Sequence, residues 1–503
     1  MKKIFNMIFG RVTITVLLIG LQLYWMYLLF ARLQERAIWL EGALGVLSVF
    51  ILLMVVISNQ NPAYKIGWII LIGLLPILGG LLYVVMSNKK PARRLRRRIQ
   101  AAEAELWQQI RALPEMEPQI EARILALSRY IAENGPFPIH QNTKVQYFKL
   151  GEEMFAGMLE DLKRAEKFIF FEYFIVGDGH MWREIEKILI EKAAQGVDVR
   201  VMYDDLGCVG VLPKDIKALT EKNIKVVAFN PLVPFLALVM NNRDHRKILV
   251  IDGNIGYNGG INIADEYINI DPPYGHWKDT GIRLEGDAVL NLSVMFLSIW
   301  NAYYPEKSQI QKYMPTVKIE NNQGYVQSFS DSPLDDEMIS ENIYMDILWQ
   351  AKDYVYIFTP YLIIDHEMTV ALTMAAKRGV DVRLVVPKIP DKKAPYHLAE
   401  SYFGPLTEAG VRVYLYTPGY IHAKSYVSDD RIAVVGTINM DYRSLYLHFE
   451  CGTLLIDSPA IADLKKDCFD TFAISELVTE KHWQKGRIFA LYQAVLRVMS
   501  PMF

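Results

Sequence analysis

The chain has 503 residues and a formal net charge of −2, too long for one ordinary domain at roughly 150 residues apiece, so two or three units are expected. Its three cysteines, Cys208, Cys451 and Cys468, form no C-x-x-C pair, which excludes a sequence-readable zinc site or disulfide framework and leaves each as a small buried hydrophobe. Charge is uneven: residues 1–98 carry thirteen Lys or Arg against two Glu, a net of +11, which leaves −13 for residues 99–503 and argues against a basic nucleic-acid groove there.

Three uncharged apolar runs open the chain, at residues 12–31, 42–58 and 66–86. The first and third are long enough for about 30 Å of hydrocarbon, whereas the second is marginal, with a buried core helix as the lesser alternative. A cleaved signal peptide is disfavoured because no small-x-small site follows the first run. Two or three transmembrane helices are therefore expected within residues 1–98. The basic run "NKKPARRLRRR" at 88–98 follows the last of them, and such clusters stay on the cytoplasmic side. The remainder of the chain is accordingly expected at the inner face of the membrane.

Residues 99–136 read as a helical linker rich in Ala, Glu, Arg and Leu. Strands and helices alternate beyond it. The segment 167–176 reads as a buried strand, 182–196 as a helix stopped at Gly196, and 197–204 as a strand. The same order returns with a strand at 353–364, a helix at 367–379 stopped at Gly379, and a strand at 380–387. The words "GVDVR" at 196–200 and 379–383 are identical. This is an internal duplication with a period of roughly 180 residues. It divides the chain into two similar α/β halves, 137–318 and 319–503, arranged about a pseudo-twofold axis.

Each half carries one polar constellation on a strand-like run. "HRKILVID" places His245, Lys247 and Asp252; "HAKSYVSD" places His422, Lys424 and Asp429. Period-two geometry puts His245 with Lys247, and His422 with Lys424, on one face. Turns follow at "DGN" and "SDDR". A returning strand then delivers Gly259, Gly260 and Asn262 in the first half, and Gly436, Thr437 and Asn439 in the second. Glycines there permit close approach of a ligand. Both histidines stand 17 residues before their asparagine, a coincidence that chance does not explain.

These residues resemble the duplicated histidine–lysine–aspartate motif of the phospholipase D superfamily, and the similarity extends over essentially all of residues 137–503. The apolar N-terminus with "RDHRKILVIDG", "GGINIADEY" and "GTINMDYRSLYLHFE" resembles the bacterial cardiolipin synthases in particular, although those commonly show two hydrophobic segments where this chain shows three. The resemblance implies phospholipase D-like α/β/α halves and a membrane enzyme that passes a phosphatidyl group from one phosphatidylglycerol to another, giving cardiolipin and glycerol without a cofactor. It implies His245 as nucleophile and His422 as acid/base, an order that two like halves cannot themselves decide. Lys247, Lys424, Asn262 and Asn439 would offset charge on phosphate. Asp279 and Glu450 match acidic positions that would orient the histidines, while Asp252 and Asp429 read as turn and scaffold members of the motif. No Asp/Glu/His spacing suggests a metal.

Other readings of the same motif are a lipid phosphodiesterase with water as acceptor, a nuclease, or an inactive membrane scaffold. Two apolar features stand beside the motifs. Residues 230–240 read as a loop at an acyl-chain entrance or as a core strand. Ile488, Leu491, Tyr492, Val495 and Met499 have helical spacing suited to a membrane surface or to docking on the catalytic region.

Overall fold

The computed structural model describes Gly20, Tyr24 and residues 34–86, 90–114, 116–231, 242–304, 306–320, 323–335 and 337–502. The chain divides into one unit made of residues 1–95, 232–242 and 494–502, and a second made of 96–231, 243–493 and 503.

In the first unit, helices Gln34–Ile57, Pro62–Leu74 and Pro76–Met86 pack around Ile51, Val55, Ile72 and Tyr83. Asn61 caps the second helix by accepting from the Ala63 amide at 3.0 Å, with Pro62 in the first turn. The expected third membrane span does not form as one helix. Pro76 disfavours helical geometry at the residue before it, and Leu75 leaves the helix at φ −134° and ψ 74°. The two resulting helices of 13 and 11 residues reach about 20 and 17 Å, short of about 30 Å of hydrocarbon. The run 12–31 lies outside the described residues apart from Gly20 and Tyr24, as do residues 232–241 and the side chains of residues 34–41. Among the described residues no helix is long and apolar enough to cross a membrane, so the expected spans find no support there.

The second unit contains two sheets of matching order. The first comprises β1 (Thr143–Phe148), β2 (Phe168–Tyr173), β3 (Asp198–Asp204), β4 (Lys225–Phe229), β5 (Lys247–Ile251), β6 (Ile255–Gly259) and β7 (Gly281–Gly286), ordered β1-β7-β6-β5-β2-β3-β4. The second comprises β8 (Tyr325–Asp331), β9 (Tyr354–Phe358), β10 (Asp381–Pro387), β11 (Arg412–Tyr416), β12 (Ser425–Ser428), β13 (Ile432–Gly436), β14 (His448–Ile456) and β15 (Ser475–Leu477). Its order is β8-β14-β13-β12-β9-β10-β11-β15. Strand for strand the two agree, and β15 is an added edge. In each sheet β2–β3–β4 or β9–β10–β11 run parallel, with crossover helix His180–Ala194 or His366–Lys377. Gly196 and Gly379 end those helices at φ +92° and +97°, the left-handed conformation that glycine adopts without a Cβ penalty.

Each motif lies on the hairpin β5–β6 or β12–β13. β5 and β12 are buried throughout, as expected of central strands in a covered sheet. At the hairpin turns Asp252 and Asp429 take φ +56° and +52°, a conformation that Asp tolerates. Two short ladders join the halves. Arg243–Asp244 pairs parallel with His448–Phe449, and Gly419–Ile421 pairs parallel with His276–Lys278. The C-terminal helix Arg487–Val498 docks through Phe489 and Gln493 on His397, yet leaves Ile488 89% and Leu491 69% exposed.

Candidate active site

The two joining ladders each end at a motif histidine. The His245 amide donates to the Phe449 carbonyl at 2.9 Å, and the His422 amide donates to the Lys278 carbonyl at 2.7 Å. One residue beyond each acceptor stands a carboxylate of the opposite half. His245 Nδ1 consequently faces Glu450 at 2.8 and 3.0 Å, and His422 Nδ1 faces Asp279 at 2.6 Å. The pairs are thus crossed: the carboxylate that follows each motif in sequence serves the other motif's histidine. Both imidazoles and both carboxylates are buried.

Lys247 and Lys424 are also buried, and each ammonium donates to the carbonyl of its own motif histidine, Lys247 at 2.6 Å. Two cations are therefore held beside two imidazoles with little solvent. Burial drives their chemistry. It lowers Lys247 to about 8 and Lys424 to about 7. It also lowers His245 well below the ordinary histidine range, with Lys247 adding to the effect. His422 falls to about 4 through burial and then Lys424, with Asp279 pulling the other way. Glu450 rises to about 8 through burial, partly offset by Lys247. Burial thus disfavours the charged form of each of these groups.

Asp252 and Asp429 sit at the far ends of their strands. Asp252 accepts from the amides of Glu166, Lys167 and Phe168 at 2.7–2.9 Å. Asp429 accepts from those of Lys352, Asp353 and Tyr354 at 2.8–3.0 Å. Each closes the start of the neighbouring strand, and every one of these bonds is local to the scaffold.

The two asparagines differ. Asn262 is committed to the protein: its oxygen accepts from the Ile175 amide at 3.1 Å and its amide donates to the Tyr267 hydroxyl at 2.7 Å. The Asn439 oxygen is buried with no hydrogen-bond partner. The glycines also act otherwise than expected. A Cβ on Gly259 would lie 2.5 Å from Gly281 Cα, one on Gly436 would lie 2.4 Å from the Cys451 carbonyl oxygen, and one on Gly260 would lie 2.1 Å from Asp279 Oδ1. They make room for the adjoining strand and for a carboxylate. Thr437 stands where the first half has Gly260, and its hydroxyl donates to Glu450.

Sequence reasoning missed the aromatic wall and a third imidazole. Phe174 meets His245 edge-on at 5.0 Å, while Tyr267 and Trp277 lie 5.3 and 5.6 Å from His422. The ring of His448 lies 5.6 Å from that of His245, and its Nδ1 is buried without a hydrogen bond, 3.8 Å from Glu450. Burial and the charges of Arg443, Lys247, Arg243 and Lys392 push it to about 3. The signal was the period-two spacing in "HFE", which sets His448 and Glu450 on one strand face. The fold also gathers what sequence spacing did not show. Ligand atoms of His245, His448 and Glu450 come within 4.8 Å of one another. This donor set fits a resident divalent cation poorly: the His245–Glu450 hydrogen bond already occupies it, and Lys247 and Lys424 direct positive charge at the same imidazole.

Comparison with known proteins agrees with this geometry. The family model for the cardiolipin synthase phospholipase D-like domain matches residues 158–271 and 344–472, and a phospholipase D-nuclease N-terminal model matches 46–87. The chain is 44% identical to an uncharacterized protein of Streptococcus mutans over 90% of this chain and 99% of that protein. It is 32% identical to a cardiolipin synthase of Geobacillus kaustophilus over 98% of this chain and 99% of that one. Among solved structures, a phosphatidylserine synthase of Haemophilus influenzae shares the fold with a TM-score of 0.54 at 15% identity, covering 75% of this chain and 96% of that one. With duplicated sheets, crossed histidine–carboxylate pairs and near full-length similarity to curated members, the chain belongs to the cardiolipin synthase family of phospholipase D-like enzymes.

Proposed function

We propose that the protein transfers a phosphatidyl group between two phosphatidylglycerol molecules through a phosphohistidine. The observation that carries this reading is the buried juxtaposition of two Nδ1-anchored histidines with two ammonium groups. With Nδ1 bonded to Glu450, His245 directs Nε2 at phosphorus as a neutral nucleophile. His422, anchored by Asp279, gives its Nε2 proton to the departing glycerol oxygen. The phosphodiester itself draws that proton onto His422, since a bound anion opposes the effect of burial and of Lys424. Lys247 and Lys424 offset charge on the non-bridging oxygens, each expected to contribute about 10²–10³ in rate. In the second half-reaction an acceptor hydroxyl loses its proton to His422, its oxygen attacks phosphorus, and the bond to His245 breaks.

We further infer that the catalytic region works at the inner membrane face. The net +11 of residues 1–98 supports this, as do exposed apolar side chains such as Phe50, Ile57, Leu74 and Ile488. Placement of an engineered cysteine near residue 140 on the outer side would overturn that location.

The decisive experiment incubates purified protein with labelled phosphatidylglycerol. Cardiolipin and free glycerol are expected, with excess glycerol regenerating phosphatidylglycerol from cardiolipin. Predominant phosphatidic acid with no reversal by glycerol would establish a hydrolase in place of the synthase.

A further inference from the structure

His422 must meet both the leaving and the entering alcohol, so the acceptor binds on its side of the phosphorus. Tyr420, two residues before it, lies stacked on the His422 ring at 6.1 Å and 27°. The same tyrosine walls a cleft shared with Tyr361, Leu362, Asp391, Lys392 and Phe403. The polar equipment of this cleft is uneven. Tyr361 donates its hydroxyl to Asp391 Oδ2 at 2.5 Å. Lys392 is exposed, its ammonium stands 5.9 Å over the Tyr361 ring, and it enters no ion pair among the described residues. Lys247 and Lys424 are buried at the motifs, each ammonium on the carbonyl of its own motif histidine, and the transferase reading assigns them to the reacting phosphate. Lys392 is thus a cation outside any ion pair among the described residues, in a cleft whose Tyr420 wall stacks on the His422 ring.

We propose that this cleft is the acceptor subsite, and that Lys392 binds the acceptor lipid's own phosphodiester while Asp391 and Tyr361 receive its glycerol hydroxyls. The inference rests on the transferase reading. An acceptor that is itself a phospholipid brings a second anion within a glycerol's length of the reacting phosphorus, and that anion needs a cation which the catalytic lysines do not supply. A lysine held over an aromatic face, uncompensated by carboxylate, keeps its charge available for that purpose. Its charge also reaches His448 in the catalytic pocket, among the cations that depress that imidazole. The bonds are those of the second half-reaction. The acceptor's primary hydroxyl oxygen bonds phosphorus, the phosphorus–Nε2 bond to His245 breaks, and the hydroxyl proton passes to His422.

The test compares two acceptors in the full-length enzyme, phosphatidylglycerol and glycerol, which differ in that second phosphate. Lys392→Ala should lower the ratio of kcat/KM for phosphatidylglycerol over glycerol about tenfold, the scale of one charge-assisted contact, mostly through KM. Lys392→Arg should restore much of it, and Asp391→Asn should penalise both acceptors. An unaltered ratio in Lys392→Ala would remove the lysine from the acceptor site while leaving the transferase standing. A wild-type enzyme that transfers to neither acceptor would overturn the transferase reading and this subsite with it.

Discussion

His245 and His422 carry the same ring and the same kind of anchor, yet the proposed chemistry asks one to be neutral while the other is charged. Their partners differ in length and surroundings. Burial pushes Glu450 to about 8 against the opposing pull of Lys247 and of the Thr437 hydroxyl, so the His245 pair resists ionisation. Asp279 pulls the His422 proton affinity back up. Replacing either histidine by alanine is expected to cost at least about 10³ in turnover with the fold retained by circular dichroism. Full activity in either variant would end the two-histidine mechanism. The carboxylates should separate by step. With a phosphodiester carrying a nitrophenol leaving group, which departs without a proton, Asp279→Asn should recover most of its lost rate of phosphohistidine formation. Glu450→Gln should not recover, because it impairs the nucleophile. Equal recovery in both variants would contradict the crossed assignment.

The hairpins that carry the motifs are held by their aspartates. Each carboxylate receives three amides from the start of a neighbouring strand and sits at a left-handed turn position. Asp252→Ala and Asp429→Ala lose those acceptors and also place a Cβ-bearing residue without side-chain compensation at positive φ. A loss of about 2–4 kcal/mol is expected for each from unmet amides and backbone strain together. Asn should be milder because it tolerates that conformation. Urea denaturation checks this, and a loss of activity with unchanged stability would mean the aspartates act on substrate instead. These roles were legible from the turn residues "DGN" and "SDDR". The division of the 66–86 run was legible only in part: Pro76 was visible, but its effect on Leu75 depends on the two short helices finding partners around Ile72 and Tyr83.

Across the catalytic unit, burial and anion binding are linked through protons. Lys247, Lys424 and both histidines are depressed in the free protein, and a phosphate-like anion raises all four. Binding therefore takes up protons, and affinity falls as pH rises through about 7–8, where the free lysines discharge. Tungstate titrated by calorimetry in buffers of different ionisation enthalpy should show net proton uptake at pH 8 and weaker binding at pH 8.5 than at pH 6.5. Proton release, or affinity that climbs with pH, would mean that the ammonium groups do not bind the anion. Both halves, both motifs and the placing of each histidine and lysine on one strand were determined by sequence alone, because period-two spacing and a repeated pattern are local properties of a chain. What only the tertiary structure decided was the pairing. Arg243–Asp244 pairs with the first two residues of β14, directly before Glu450, and Gly419–Ile421 pairs with His276–Lys278, directly before Asp279. Spacing within one half carries no information about a ladder formed with the other. For that reason His245 meets a carboxylate 205 positions away and His422 one 143 positions away, whereas Asn262, placed by the same spacing as Asn439, turns to Ile175 and Tyr267.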